Sequence, residues 1–321
     1  MPKAKPSQRK AKPQQKPHAS AFTKALEEMQ HQPASAFPNV SGRWLLSALA
    51  VMIVIAAGCG WMALCLLYWQ GSWQLLYHPQ RTITKTPASA GLAFEPVHFW
   101  ATESGDTRLT GWWIPSPAAR FTMLYLHGAD GDLSSDVDTL AALHRLGVNV
   151  LAIDYRGYGQ SVPGKPSEGR LLEDANESLT YLEQSRHIAA SSIVVYGEEL
   201  GADIAAELTG QPSSRIAGVV LTDPVIDAMQ TVFSDRRSRL VPAHWLVKDR
   251  YDLAAAASGL ALPSLWLISQ PSAAEAKPPA AYQLVRSPKM SVVLRAPVTT
   301  NLNFVPEISR WLDELTSPAT R

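Results

Sequence analysis

Apolar residues along the chain first form one unbroken run and then a series of short clusters. Trp44 to Trp69 is uncharged and strongly apolar, with Leu45-Leu46, Val51-Met52-Ile53-Val54-Ile55 and Leu64-Cys65-Leu66-Leu67. At 26 residues it exceeds the ~20 that a helix needs to cross a bilayer, so it predicts one tilted membrane span. Trp44, Tyr68, Trp69 and Trp73 stand near its two ends, as aromatics at membrane–water boundaries do. Beyond the span the period changes. Val97–Trp100 and Leu109–Ile114 read as two strands of a hairpin joined through Ser-Gly-Asp. Phe121–Leu126, Val148–Ile153, Ile193–Tyr196, Ala217–Leu221, Leu265–Ile268 and Val292–Leu294 are short apolar runs that predict strands, several of them fully buried. Between them apolar residues recur at helical spacing: Leu140, Leu143, Leu146; Leu171, Ala175, Leu179, Leu182; Leu200, Ile204, Leu208; Ile308, Trp311, Leu312, Leu315. A further helix is expected near Pro279–Arg286.

Strands alternating with helices after an initial hairpin predict an α/β fold, a mostly parallel sheet covered on both faces. Residues 224–262 keep neither period and are expected to form a cap-like segment. The predicted organisation is a basic tail over 1–43, a membrane helix over 44–69, a linker over 70–91 and one domain over 92–316.

Charge sharpens this division. Net charge is only +1, yet residues 1–43 hold eight Lys/Arg and two acids, and residues 44–80 hold neither sign. The rest carries 21 basic against 26 acidic residues. The tail, rich in Lys, Gln, Pro and Ser, cannot bury a core and is expected to be disordered. Its charge reads as the flank of a span rather than a nucleic-acid site. Basic residues before the span predict a cytoplasmic N-terminus and an extracytoplasmic domain, in the periplasm of an inner membrane for a bacterial chain. A cleaved signal peptide fits poorly, because the preceding segment and the apolar run are both too long. Ala56-Ala57-Gly58-Cys59 faintly resembles a lipoprotein box, but apolar sequence continues past it. Both cysteines, Cys59 and Cys65, fall inside the span, so the domain is expected to have no disulfide and no thiol nucleophile. The expected partners are the lipid bilayer and an unidentified small ligand or envelope protein; no cofactor or metal is expected.

The chemistry gathers at Ile193-Val194-Val195-Tyr196-Gly197-Glu198-Glu199-Leu200-Gly201-Ala202, a strand, a glycine-flanked turn and a helix. Together with Gly111-Trp112-Trp113-Ile114-Pro115, Leu126-His127-Gly128-Ala129-Asp130-Gly131, Asp154-Tyr155-Arg156-Gly157-Tyr158-Gly159-Gln160-Ser161 and Pro166-Ser167-Glu168-Gly169, in this order, it resembles the α/β-hydrolase superfamily. The nearest branch in character is that of membrane-anchored, serine-aminopeptidase-like hydrolases, and the resemblance covers roughly residues 75–316. It implies a nucleophile elbow of the Gly-x-Ser-x-Gly type at Gly197 and Gly201, an acid after the seventh strand, a histidine after the eighth, and backbone N–H donors for an oxyanion at Ala129 and Leu200. The apex that should be Ser is Glu199. The acid position falls near Ala273, with Glu275 two residues on, and the histidine position at Thr300. No histidine follows His244 in the sequence.

Three readings follow. The leading one is a catalytically inactive hydrolase-fold protein that binds a ligand or partner. The second is a working serine hydrolase of esters, lipids or peptides with a relocated triad. The third uses Glu199 as a carboxylate nucleophile, by analogy with relatives that carry Asp there. Asp130 and Asp132 read as capping or turn residues rather than a cation site with Glu199, Ser161 as a turn residue, and Arg236-Arg237-Ser238-Arg239 as solvated surface.

Overall fold

The computed structural model describes residues 41–101, 107–211, 214–269, 277–294 and 304–316. Contacts divide the chain into Met1–Gly60 and Trp61–Arg321. Helix α1, Gly42–Gly71, is 30 residues long and its only charge is Arg43. With the 3₁₀ turn Ser72–Leu75 it is long and apolar enough to cross a membrane. Cys59 and Cys65 are both free thiols.

The sheet uses the predicted apolar runs. Strands β2 (Glu95–Ala101) and β3 (Thr107–Ile114) form the antiparallel hairpin, and β3 runs antiparallel to β6 (Asn149–Asp154). From there β4 (Thr122–Leu126), β7 (Ile193–Glu198), β8 (Gly218–Thr222), β9 (Ser264–Ser269) and β10 (Lys289–Leu294) pair in parallel. Among the described residues the order is β10-β9-β8-β7-β4-β6-β3-β2. Side chains alternate across it. Leu124, Leu126, Val195, Val219 and Trp266 meet α3 (Glu168–Thr180) and α4 (Leu200–Thr209) on one face. Met123, Tyr125, Val194, Tyr196 and Leu265 meet α2 (Val137–His144) and α8 (Val305–Thr316) on the other. This two-sided burial is why the central strands read as continuous apolar runs.

Two features were not visible as periodic pattern. The stretch 70–91 does more than tether the domain: Leu76 and Tyr77 are buried, and β1 (His78–Pro79) pairs in parallel with β5 (Asp130–Gly131). Residues 224–262 hold short helices, α5 (Ala228–Ser234), α6 (Ala243–Leu246) and α7 (Leu253–Gly259), and a 3₁₀ turn at Arg236–Arg239. Asp227, Asp235 and Asp252 cap three of these, each accepting a backbone N–H two or three residues on. The segment is bolted down at its two ends. Asp203 of α4 accepts from Val225 N–H, and the Glu168 carboxylate accepts from the N–H groups of Arg250 and Tyr251.

Candidate functional site

Parallel strands deliver their C-terminal ends to one edge of the sheet, the edge where open α/β sheets place their ligand crevice. At the end of β7, Glu199 has φ 49° and ψ −119°, outside the comfortable region for a residue with a side chain. The turn is held by Glu199 N–H to Thr222 O, 2.9 Å, and Ala202 N–H to Glu199 O, 2.9 Å. Its tightness rests on the two glycines. A Cβ on Gly197 would strike the Gly201 carbonyl and Ala202 Cα; one on Gly201 would strike the carbonyls of Leu126 and His127. Glu199 is therefore thrust out at the strand–helix apex, exposed as a residue, while its carboxylate leans over Gly128, where a Cβ would lie 2.7 Å from Oε2. Leu200 opens α4, so its N–H has no helical acceptor. The Ala129 carbonyl accepts from His78 N–H at 3.0 Å and from Tyr158 OH at 2.8 Å, which fixes the loop after β4.

The mouth is crowded with carboxylates. Burial raises the Glu199 pKa, and Asp130 and Asp223 raise it further. Glu198 is buried and pushed up to about 7, chiefly by desolvation; the Tyr125 hydroxyl, donating at 3.0 Å, opposes this, and Glu199 and Asp223 add to it. Asp136 is raised by desolvation and then by Glu198. Asp154 is pushed up to about 7 by burial against the N–H bond it accepts from Leu133. Such a field disfavours a developing oxyanion and favours protonated acids or a cationic group.

The local roles of the remaining polar residues are defined. Asp132 accepts from Ser134 N–H at 2.8 Å and caps the turn Leu133–Asp136. Asp130 pairs with His78, Nδ1 to Oδ1 at 2.6 Å, both side chains well exposed. Asp223, at φ 46°, accepts from Ser269 N–H and so joins the ends of β8 and β9. The Ser161 hydroxyl is buried, donates to Asp154 O and accepts from Thr110 N–H, the bonding of a turn residue. His127 is buried against the rings of Tyr155 and Tyr158, and burial lowers its pKa to about 4. Its Nδ1 donates to Gly128 O at 2.7 Å, which leaves Nε2 as a buried acceptor without a partner. Among the described residues no histidine is hydrogen-bonded to the Glu199 carboxylate, and no group of His, Cys, Asp and Glu is arranged to hold a metal ion.

The family model for serine aminopeptidase, S33, matches residues 117–296, more than half of the chain. The chain belongs to this family, and its fold is that of the α/β hydrolases. An uncharacterized protein of Mycobacterium tuberculosis is 33% identical over 182 residues, covering 56% of this chain and 61% of that protein. Protein bem46 of Schizosaccharomyces pombe is 35% identical over 122 residues, covering 37% of this chain and 40% of that one. The chain thus spans less than two thirds of the length of these relatives. Among solved structures, the Pyrococcus furiosus esterase Pf2001 superposes with a TM-score of 0.56 at 18% identity, covering 75% of this chain and 97% of that one. An alpha-beta hydrolase from Vibrio vulnificus gives 0.55 at 20% identity over 71% and 82%. At these identities the superpositions speak for the fold alone.

Glu199, Gly197, Gly201, Ala129 and Leu200 do converge on one corner of the sheet. Ala273 and Glu275, expected near the acid position, and Thr300, expected at the histidine position, lie outside the described residues. The residue that sequence reasoning missed is His78. It reaches the site through a two-residue strand that leaves no periodic trace; the short sequence Tyr77-His78-Pro79 was its only signal.

Proposed function

We propose that this α/β hydrolase is held to a membrane by α1 and has exchanged serine-triad catalysis for binding, its cleft receiving a ligand or partner. The observation that carries the reading is the apex of the elbow. The backbone keeps the strained turn that presents a nucleophile, and the side chain presented is Glu199. A carboxylate of raised pKa beside Asp130 and Glu198 suits a cationic or hydrogen-bond-donating ligand better than an ester in hydrolysis. Ala129 and Leu200 keep the positions of oxyanion donors in this reading, and the domain faces away from the cytoplasm.

The full chain in detergent is expected to leave p-nitrophenyl esters at the buffer rate and to take no label from a fluorophosphonate probe. Glu199→Ser is expected to stay unlabelled too, because among the described residues no imidazole is hydrogen-bonded at this position to deprotonate the new hydroxyl. Labelling that vanishes on replacing one serine overturns the proposal.

A second reading draws on the His78–Asp130 pair. An imidazole oriented by a carboxylate is the supporting half of a triad, and Asp130 acts electrostatically on Glu199. Here the Glu199 carboxylate would attack a saturated carbon, opening an epoxide or displacing a halide, to form an alkyl ester, and His78 would activate the water that cleaves it back to the free carboxylate and an alcohol. That reading requires turnover of an epoxide or a haloalkane, lost equally in Glu199→Gln and His78→Ala and untouched by serine substitutions.

A further inference from the structure

The cap meets the membrane helix well inside its apolar stretch. Trp61 Nε1 donates to Leu240 O at 3.0 Å. Trp61 lies ten residues before Gly71, so Leu240 is held ~15 Å back from the helix end. A hydrocarbon core takes ~20 residues of the uncharged run that begins at Trp44, so its edge on the domain side falls between about Ala63 and Trp69. Leu240 is held at or below that edge wherever the helix sits within this range.

The surroundings change polarity in the same direction. Around Leu240 is a groove of about 240 Å³ lined by Leu64, Leu67, Tyr68, Leu75 and Val241, with Arg237 at its side. Tyr68 OH is buried there without a partner. Nearer the helix end a second groove, of about 580 Å³, is lined by Trp69, Trp73, Lys165, Arg170, Lys248 and Asp249. Ser72 borders both. Asp249 is already occupied, accepting from Tyr77 OH and Glu168 N–H, and Lys165 Nζ reaches Gln70 O at 3.3 Å. Apart from Arg237, which is paired with Asp235, the deeper walls are apolar and cations stand above them, the order of acyl chain and phosphate in a phospholipid leaflet. The cap adds Leu240 and Trp245, large apolar side chains that are 63% and 76% exposed. The backbone of Leu240 is satisfied on both sides: its N–H donates to Arg237 O and its carbonyl accepts from Trp61, as backbone bordering hydrocarbon must.

We propose that the cap docks into the bilayer boundary, Leu240 and Trp245 among the acyl chains and Lys165, Arg170 and Lys248 against the phosphates of an anionic phospholipid. The proposal rests on α1 lying in a bilayer, and so on the anchor in the functional reading.

The test uses the full chain with Cys59→Ser and Cys65→Ser, carrying one cysteine in place of Leu240, Trp245, Gln184 or Ile53. Each variant is labelled with an environment-sensitive NBD dye in nanodiscs of phosphatidylcholine, with or without phosphatidylglycerol. Labels at 240 and 245 are expected to emit to the blue of the exposed label at 184, with iodide quenching several-fold weaker and strong quenching by headgroup-proximal doxyl lipid. Phosphatidylglycerol is expected to deepen both effects, and Lys165→Gln, Arg170→Gln, Lys248→Gln together to remove that increment. Iodide quenching at 240 and 245 equal to that at 184 overturns the docking, as would happen with a cap that instead serves a soluble protein. No response to phosphatidylglycerol overturns the phosphate contact. The label at 53 separates the two levels: water-exposed there, it refutes the anchor itself.

Discussion

Gly201→Ala is expected to cost this domain on the order of 3 kcal/mol or more, although it adds a single methyl group. The new Cβ would lie on top of the Leu126 and His127 carbonyls, which belong to backbone and cannot rotate aside. Either α4 must lift from the end of β4 or the elbow must open. Both moves expose a helix whose inward face, Ile204, Ala205 and Leu208, is buried in the main core. For a domain of this size the loss is about a 6–12 °C fall in the thermal midpoint. The control is Gly169→Ala in the first turn of α3, where nothing lies within 4 Å of the added Cβ. That variant is expected to hold or gain stability, by up to ~1 kcal/mol from the better helix former. Thermal unfolding of both variants in detergent, followed by circular dichroism, decides it. Equal midpoints for the two would mean that the elbow is looser than its contacts.

That contrast shows what was legible in the chain. Gly197 and Gly201 mark a close strand–helix approach wherever a β-branched run precedes them and a helical period follows, so the elbow could be read without coordinates. The central strands were legible for a related reason: buried on both faces, they carry an apolar residue at nearly every position. Helix α8 announced itself through Ile308, Trp311 and Leu312, now buried on one side. The single π turn at Tyr181–Ser185 was not, because one extra residue per turn does not disturb so short a period. Nor were the short helices within residues 224–262, each no longer than seven residues, although their capping aspartates Asp227, Asp235 and Asp252 stood in view. At the site, the strand–helix turn could be read from the chain and the packing around it could not. Glu198 ends a fully buried strand under Tyr125, a contact set by the pairing of β4 with β7 and not by any local pattern. His78 was passed over because only the β1–β5 pairing brings it to Asp130.

The burial of Glu198 sets the second large expectation, that the domain loses stability as pH rises from about 5 to 8. Its carboxyl titrates near 4.5 in the unfolded chain and near 7 in the fold. The folded state therefore holds the proton more tightly, and unfolding releases it. Stability from this group is complete below the unfolded value, falls as pH climbs between the two, and stays low above the folded one. Asp154 and Asp174, also pushed up to about 7 mainly by burial, add to the same slope. Asp174 does so although Arg156 binds it through both backbone N–H and guanidinium, because the cost of burying the charge outweighs that help. Glu198→Gln removes the ionisation and keeps an oxygen for the Tyr125 hydroxyl. It is expected to raise stability at pH 8 by up to ~3 kcal/mol, and to leave it nearly unchanged at pH 5, where the native acid is already neutral. Midpoints measured at half-unit steps of pH give the answer: the two curves should converge toward acid and separate toward base. Parallel curves would mean that Glu198 ionises in the fold without cost, and the acidic mouth would then be a hydrated surface rather than a store of protons beside Glu199.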